Sequence, residues 1–257
     1  MRTEAGLLPL AAGDVADIER ATAAAVSPTA LEELDGCLLA FDGGTVNRAK
    51  SAVPLWHVAP VDAAGMVARI EAAYAARGLP PLFRLAMLPC FDEMRVVLAQ
   101  RGYQGHQPTQ VQVAPCEVVR EVSVAVPADV DNAPDEAWSA LFVGESADPA
   151  DGASRVAALS SAAGSLYASV REQGQTFAAG AAAFSHGWAS VHGMRTGAAQ
   201  RGRGHAGRVL AGLAQAALDR GFTRCFLQVE AGNAAAQALY RRAGFAQAWS
   251  YMYWRRS

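Results

Sequence analysis

Residues 197–204 read Gly-Ala-Ala-Gln-Arg-Gly-Arg-Gly, and the chain then turns at once into an amphipathic pattern over His205–Arg220. Val209, Leu210, Leu213 and Ala217 share one face of that helix, and Gly221 is placed as its C-cap. A loop of small residues opening directly into a helix constrains both fold and chemistry. Its backbone amides can approach a ligand closely. The helix start adds unpaired donors and a partial positive charge. The two together cradle a phosphate or pyrophosphate, and Arg201, Arg203 and Arg208 can supply charge-assisted bonds. Without a ligand the same residues read as a flexible turn with solvated arginines. Gly202–Gly207 also matches GxGxxG, but a dinucleotide fold needs its first glycine directly after a strand. Here about five residues intervene, and only about 55 follow, too few for a doubly wound sheet.

The flanking sequence reads as alternating strands and helices. Thr176–Ser185 and Trp188–Thr196 are apolar segments around His186-Gly187, a hairpin signal. Phe222–Glu230 reads as a strand, Ala234–Ala243 as a helix closed by Gly244, and a further strand starts at Phe245. Upstream, Ser165–Gln173 reads as a strand and Pro134–Phe142 as a helix. In the first half, Pro81–Leu88 and Pro108–Ala114 read as strands around a helix over Phe91–Arg101. Val97–Tyr103 (VLAQRGY) resembles Leu239–Phe245 (LYRRAGF), with Leu98 in register with Tyr240, and the glycine/arginine loop has no first-half counterpart. A boundary is expected near Pro115–Val119, with a strand over Arg120–Val126 beyond it.

Charge and cysteine usage narrow the class. Against 24 acidic residues stand 22 basic ones, for a net charge of −2. That balance, with no aromatic-interleaved basic stripe, argues against a nucleic-acid-binding module built on Arg201, Arg203, Arg208, Arg241 and Arg242, and against an anionic membrane surface. Lys50 is the only lysine, which reads as composition bias rather than a need for guanidinium forks. Cys37, Cys90, Cys116 and Cys225 form no CxxC pair or metal-ligand cluster, so no metal is expected. No run reaches the roughly 18 apolar residues of a membrane span, and residues 1–12 do not read as a secretion signal. The expected setting is a reducing cytoplasm.

Two further signatures carry a resemblance. Met194-Arg195-Thr196 leads into Gln200–Ala206 (QRGRGHA) and a helix; Phe226–Glu230 leads into Asn233, Ala236, Leu239, Tyr240, Gly244 and Phe245. In this order, about 30 residues apart, they resemble the GNAT superfamily of acyl-CoA-dependent N-acyltransferases. The resemblance implies a mixed α/β fold of two GNAT-like domains in tandem, each a mostly antiparallel sheet flanked by helices. Residues 1–116 would be a degenerate domain without a CoA loop, and residues 117–257 the catalytic one. It implies acetyl-CoA as co-substrate and a primary amine, on a small molecule or peptide, as acceptor. The CoA pyrophosphate would lie on Arg201, Gly202, Arg203, Gly204, His205 and Ala206, and the pantetheine and thioester on Met194, Arg195, Thr196, Asn233 and Ala236. Tyr240 would be the general acid that protonates the departing thiolate. A phenol is a suitable donor to an alkyl thiolate.

The base is open. Some family members carry a glutamate on the strand before the loop; that position here is Ser190. His192 lies two residues on, on the same face, with a pKa range suited to neutral pH; otherwise it is a structural histidine. Glu230 is a second candidate. The missing glutamate also supports another class of function, a CoA-binding pseudoenzyme or sensor. The first half is expected to wall the acceptor site. Asp42–Trp56 is polar and glycine-rich; Asn47, Arg48 and Trp56 either line a pocket or form a surface connection with Trp56 in the core. Covalent pairing of two such halves can substitute for a homodimer, so either a monomer or a homodimer is expected.

Overall fold

The computed structural model describes residues 10–11, 13–144, 149–172 and 174–256. In chain order its first part runs α1 (Asp14–Ala24), β1 (Ala30–Leu34), β2 (Cys37–Phe41), β3 (Ala52–Pro54), α2 (Ala63–Ala75), β4 (Phe83–Ala86), α3 (Asp92–Gln100) and β5 (Tyr103–Pro115). Then come α4 (Cys116–Arg120), β6 (Asp129–Asp131), α5 (Glu136–Gly144), α6 (Pro149–Ser160), β7 (Leu166–Glu172), β8 (Gln175–Ser185) and β9 (Trp188–Thr196). The last elements are α7 (His205–Asp219), β10 (Arg224–Glu230), α8 (Ala234–Arg242) and β11 (Ala246–Arg256). No helix among the described residues is long and apolar enough to cross a membrane.

The described strands form one mixed sheet, in the order β1-β2-β3-β4-β11-β5-β10-β9-β8-β7-β6. The mixed α/β architecture is as expected, but the two halves are joined edge to edge, and each sends a strand into the other. β11 lies between β4 and β5, antiparallel to both, with Tyr251 opposite Ala86 and Ala246 opposite Val113. β5 in turn pairs antiparallel with β10. The line drawn between residues 116 and 117 thus falls within the first turn of α4, just past the end of β5, while the sheet runs on across it.

The local sequence explains the elements around the site. His186 and Gly187 both take positive φ (48° and 73°), the two-residue turn that matches strand twist and closes the β8–β9 hairpin. α7 buries Val209, Leu210, Leu213 and Ala217 against the sheet. It ends in a Schellman motif: Phe222 N donates to Ala217 O and Gly221 N to Leu218 O, with Gly221 at φ +81°.

The strand expected over Arg120–Val126 is not formed. Cys116 and Val119, three residues apart, are buried as one face of α4, and the alternating valines beyond have no partner strand: Val124 and Val126 are exposed. That segment spends its polar groups on α7, with Arg208 Nε donating to Val126 O (2.7 Å) and Ala128 N to Arg208 O (3.1 Å).

Candidate active site

β9 and β10 are parallel neighbours only from Ala189–Cys225 to Val191–Leu227. Beyond that pair they part, and a cavity of about 290 Å³ opens between them. Residues Val191–Arg195 line one side and Leu227–Glu230 the other, with Asn233, Ala236 and Tyr240 of α8 facing in. β9 also carries a bulge here. Gly180 stands alone on β8 where Gly193 and Met194 stand on β9, and Gly193 takes φ +58°. A Cβ at Gly193 would stand 2.6 Å from Leu159 Cδ1 and 3.1 Å from Phe142 Cε1, so this backbone requires glycine. A bulge leaves one residue out of the ladder, and this one lies on the cavity wall.

Past β9 the chain makes a short turn through Ala198–Gln200 and reaches α7. Gly202 and Gly204 have positive φ (+76° and +82°), and nothing lies within 4 Å of where their Cβ atoms would be. The first amides bonded back into the helix are those of Gly207 and Arg208, both to Gly204 O. The amides of Arg203–Ala206 precede them at the positive end of the helix dipole, behind an open surface, which fits an anionic group. Arg203 is exposed, while Arg208 is committed to Val126 O and, at 3.6 Å, to Glu172. Arg208 thus already has partners within the protein. His205 is buried against Phe177 (ring centroids 5.4 Å apart).

Of the residues singled out from the sequence, the cavity brings together His192, Met194, Arg195, Asn233, Ala236 and Tyr240, with Glu230 at the end of β10. Thr196 and Arg201–Ala206 lie outside its wall, on the strand end and loop that lead to α7. Asn233 caps α8, its side chain accepting from Ala236 N at 3.1 Å. That cap fixes the helix that carries Tyr240 about two turns further on.

Tyr240 is 7% exposed, packed edge-on against Phe245, and burial pushes its phenol up to about 12. It is therefore protonated throughout the working pH range. His192 is 3% exposed, and neither ring nitrogen has a hydrogen-bond partner. Burial, and then the charge of Arg48, hold its pKa well below the ordinary histidine value. It is a neutral imidazole at physiological pH, not the near-neutral titrating group the residue type suggests. Ser190, at the family's glutamate position, is buried with Oγ donating to Ala183 O. Glu230 is exposed and accepts from Gln107 Nε2 at 2.7 Å.

The opposite wall comes from the first half and from β11. Thr45–Arg48, Gln107, Thr109, Tyr251 and Tyr253 line it. Asn47 Nδ2 donates to Gln107 Oε1 (3.2 Å), extending the chain to Glu230. Tyr251 Oη donates to Gln228 Oε1 at 2.8 Å and lies 3.3 Å from Tyr253 Oη. Asn47 and Arg48 are thus pocket residues, whereas Trp56 is 47% exposed and lies over a separate hollow with Val58, Val61 and Phe91. Sequence reading missed Gln107, Tyr251 and Tyr253. The alternation Trp249-x-Tyr251-x-Tyr253 marks one face of a strand, but which cavity that face lines depends on the exchange of β11.

Comparison with known proteins places this geometry. The structure is similar to a GCN5-related N-acetyltransferase from Kribbella flavida (TM-score 0.70, 18% identity, 96% of each chain). It is also similar to a functionally unknown conserved protein from Staphylococcus epidermidis (TM-score 0.65, 11% identity, 89% of this chain and 94% of that one). A tandem GNAT protein from the clavulanic acid biosynthesis pathway matches over 96% of both chains (TM-score 0.56, 16% identity). At these identities the likeness is one of fold. No curated protein sequence matches. The family described as "Probable histone acetyltransferase Rv0428c C-terminal" matches residues 12–254, nearly the whole chain. The chain therefore belongs to that acetyltransferase family, with the tandem GNAT fold.

Proposed function

We propose that this protein is an acyl-CoA-dependent N-acyltransferase that moves an acetyl group from acetyl-CoA to a primary amine by direct attack. One observation carries the reading: the parting of β9 and β10 forms a cavity faced by Tyr240, and the open, glycine-lined start of α7 follows β9. The residues fit the co-substrate. The amides of Arg203–Ala206 suit a pyrophosphate, and Met194, Arg195, Thr196, Asn233 and Ala236 suit a pantetheine arm lying between the strands.

When bound, acetyl-CoA supplies an activated carbonyl. Backbone N–H groups of the β9 bulge polarise it, as in an oxyanion hole. The amine nitrogen forms the new N–C bond, the thioester C–S bond breaks, and its electron pair goes to sulfur. Tyr240 donates a hydrogen bond to that sulfur, and the second N–H proton of the attacking nitrogen ends on the thiolate, which leaves as the thiol. The ammonium must lose a proton before attack. Glu230, exposed and hydrogen-bonded, relays it to water; His192 also faces the cavity, but its burial and the charge of Arg48 disfavour the protonated form, which makes it the weaker acceptor.

Calorimetric titration with acetyl-CoA, followed by thiol release against a panel of amines, tests this. Micromolar binding is expected, with loss in Gly204→Asp, whose carboxylate would occupy the anion position at the helix start. Binding without transfer to any amine would favour a CoA sensor. No binding to the folded wild-type protein would refute the reading.

A further inference from the structure

The cavity wall carries three arginines, Arg48, Arg155 and Arg195, against one carboxylate, Glu230. Arg155 is taken by Asp151, with Nε 2.7 Å from Oδ2. The guanidinium of Arg195 stands over the Phe142 ring at 5.8 Å. Arg48 differs: it is half-buried, and among the described residues it has neither an ion pair nor a hydrogen bond. It sits on the short turn Asn47–Lys50 and lines the cavity together with His192, Tyr251 and Tyr253. Its charge reaches both sides of the cavity, lowering the pKa of His192 and opposing the rise in that of Tyr253. His192 is buried with both ring nitrogens unpartnered in the same cavity lining.

A guanidinium partly withdrawn from water without a counter-charge is unfavourable. An incoming carboxylate relieves that cost and accepts two parallel N–H bonds. Resting on the acyltransfer reading above, we propose that Arg48 binds a carboxylate carried by a reactant, so that the acceptor is an amine bearing its own carboxylate, of the amino-acid class. Glu230, on the opposite wall, then faces the ammonium end. A cavity of about 290 Å³ suits a molecule of that size beside the end of a pantetheine arm. A bare polyamine or a lysine-rich protein tail would bring only positive charge to Arg48. A dicarboxylic acyl chain on CoA offers the same chemistry from the donor side.

Matched pairs separate these sources. With acetyl-CoA, amino acids and their decarboxylated amines are compared by kcat/KM, alongside lysine-rich peptides. A preference of about tenfold to hundredfold for the amino acid is expected, the worth of a charge-assisted pair. In Arg48→Gln the preference should shrink to within about threefold, while Arg48→Lys retains part of it. Equal rates for the two members of each pair, peptides as the best acceptors, or an Arg48→Gln variant that keeps the full preference would each overturn the proposal. Succinyl-CoA outperforming acetyl-CoA in an Arg48-dependent way would assign the carboxylate to the donor and overturn the amino-acid assignment. Calorimetry with N-acetyl amino acids and N-acetyl amines gives a readout free of turnover. Arg48-dependent binding of the acids without transfer would retain the carboxylate site and refute the acyltransfer reading. Equal binding of both would remove the site itself.

Discussion

Replacing Tyr240 with phenylalanine removes one hydroxyl and keeps the ring that packs edge-on against Phe245 at 5.9 Å. The size of the effect follows from burial. The phenol, at about 12, is a weaker acid than an alkyl thiol near 8.5 by roughly 3.5 powers of ten. Complete proton transfer to a thiolate would therefore be uphill by about 5 kcal/mol. The contribution of Tyr240 is a hydrogen bond to sulfur as its charge develops, worth about 1.5–3 kcal/mol. Tyr240→Phe should accordingly lower kcat by roughly 10- to 150-fold, with acetyl-CoA affinity within about threefold of wild type. Single-turnover thiol release measures the first and calorimetry the second. The sign of the pH dependence is fixed as well. The protonated phenol is the active form, and its raised pKa keeps it protonated until about pH 11, so Tyr240 adds no alkaline limb below that. A kcat within twofold of wild type would refute the donor role. An alkaline limb near pH 9 that disappears in Tyr240→Phe would refute the argument from burial.

Two further outcomes rest on the same wall. Gly193→Ala places a methyl 2.6 Å from Leu159 Cδ1 at φ +58°. It should cost about 2–5 kcal/mol in urea unfolding, left-handed strain and overpacking together, and a loss under 1 kcal/mol would mean that the bulge relaxes freely. His192 has a folded pKa held below its unfolded value near 6.5, so its contribution is present above that pH and is lost as pH falls below it, when the unfolded chain takes up the proton. Wild type should lose stability there with a slope approaching about 1.4 kcal/mol per pH unit relative to His192→Asn, and parallel profiles for the two between pH 5 and 7 would show that His192 is not held neutral.

Much of the second half was legible because its signals are local. The His186-Gly187 turn, the α7 stripe and the Gly221 and Gly244 caps each need only neighbouring residues, and β8, β9, α7, β10 and α8 stand within a residue or two of where the sequence puts them. Residues Val122–Val126 show the limit of such reading. Their alternation is that of a strand, but a strand needs a partner edge, and Arg208 and Ala128 instead tie this segment to α7. The same limit hid the cavity wall opposite β9. Tyr251, Tyr253 and Gln107 lie far from Arg48 in sequence, and only strand pairing at long range brings them together. His192 was visible as a residue, but its lack of partners and its burial among apolar neighbours were not, so its ordinary pKa was a poor guide.

The exchange of β5 and β11 has a consequence for how the molecule is made. The pairs Tyr251–Ala86 and Ala246–Val113 close very long loops, and the entropy of each closure comes due before the middle of the sheet can form. β1–β4 present an open edge at β4 until β11 arrives, and β10 has only β9 beside it until β5 docks. The halves must therefore reach their final state in one cooperative event. Neither can unfold locally without stripping the other of a central strand, so the two walls of the cavity are kept at a fixed spacing by the same eleven residues, Ala246–Arg256.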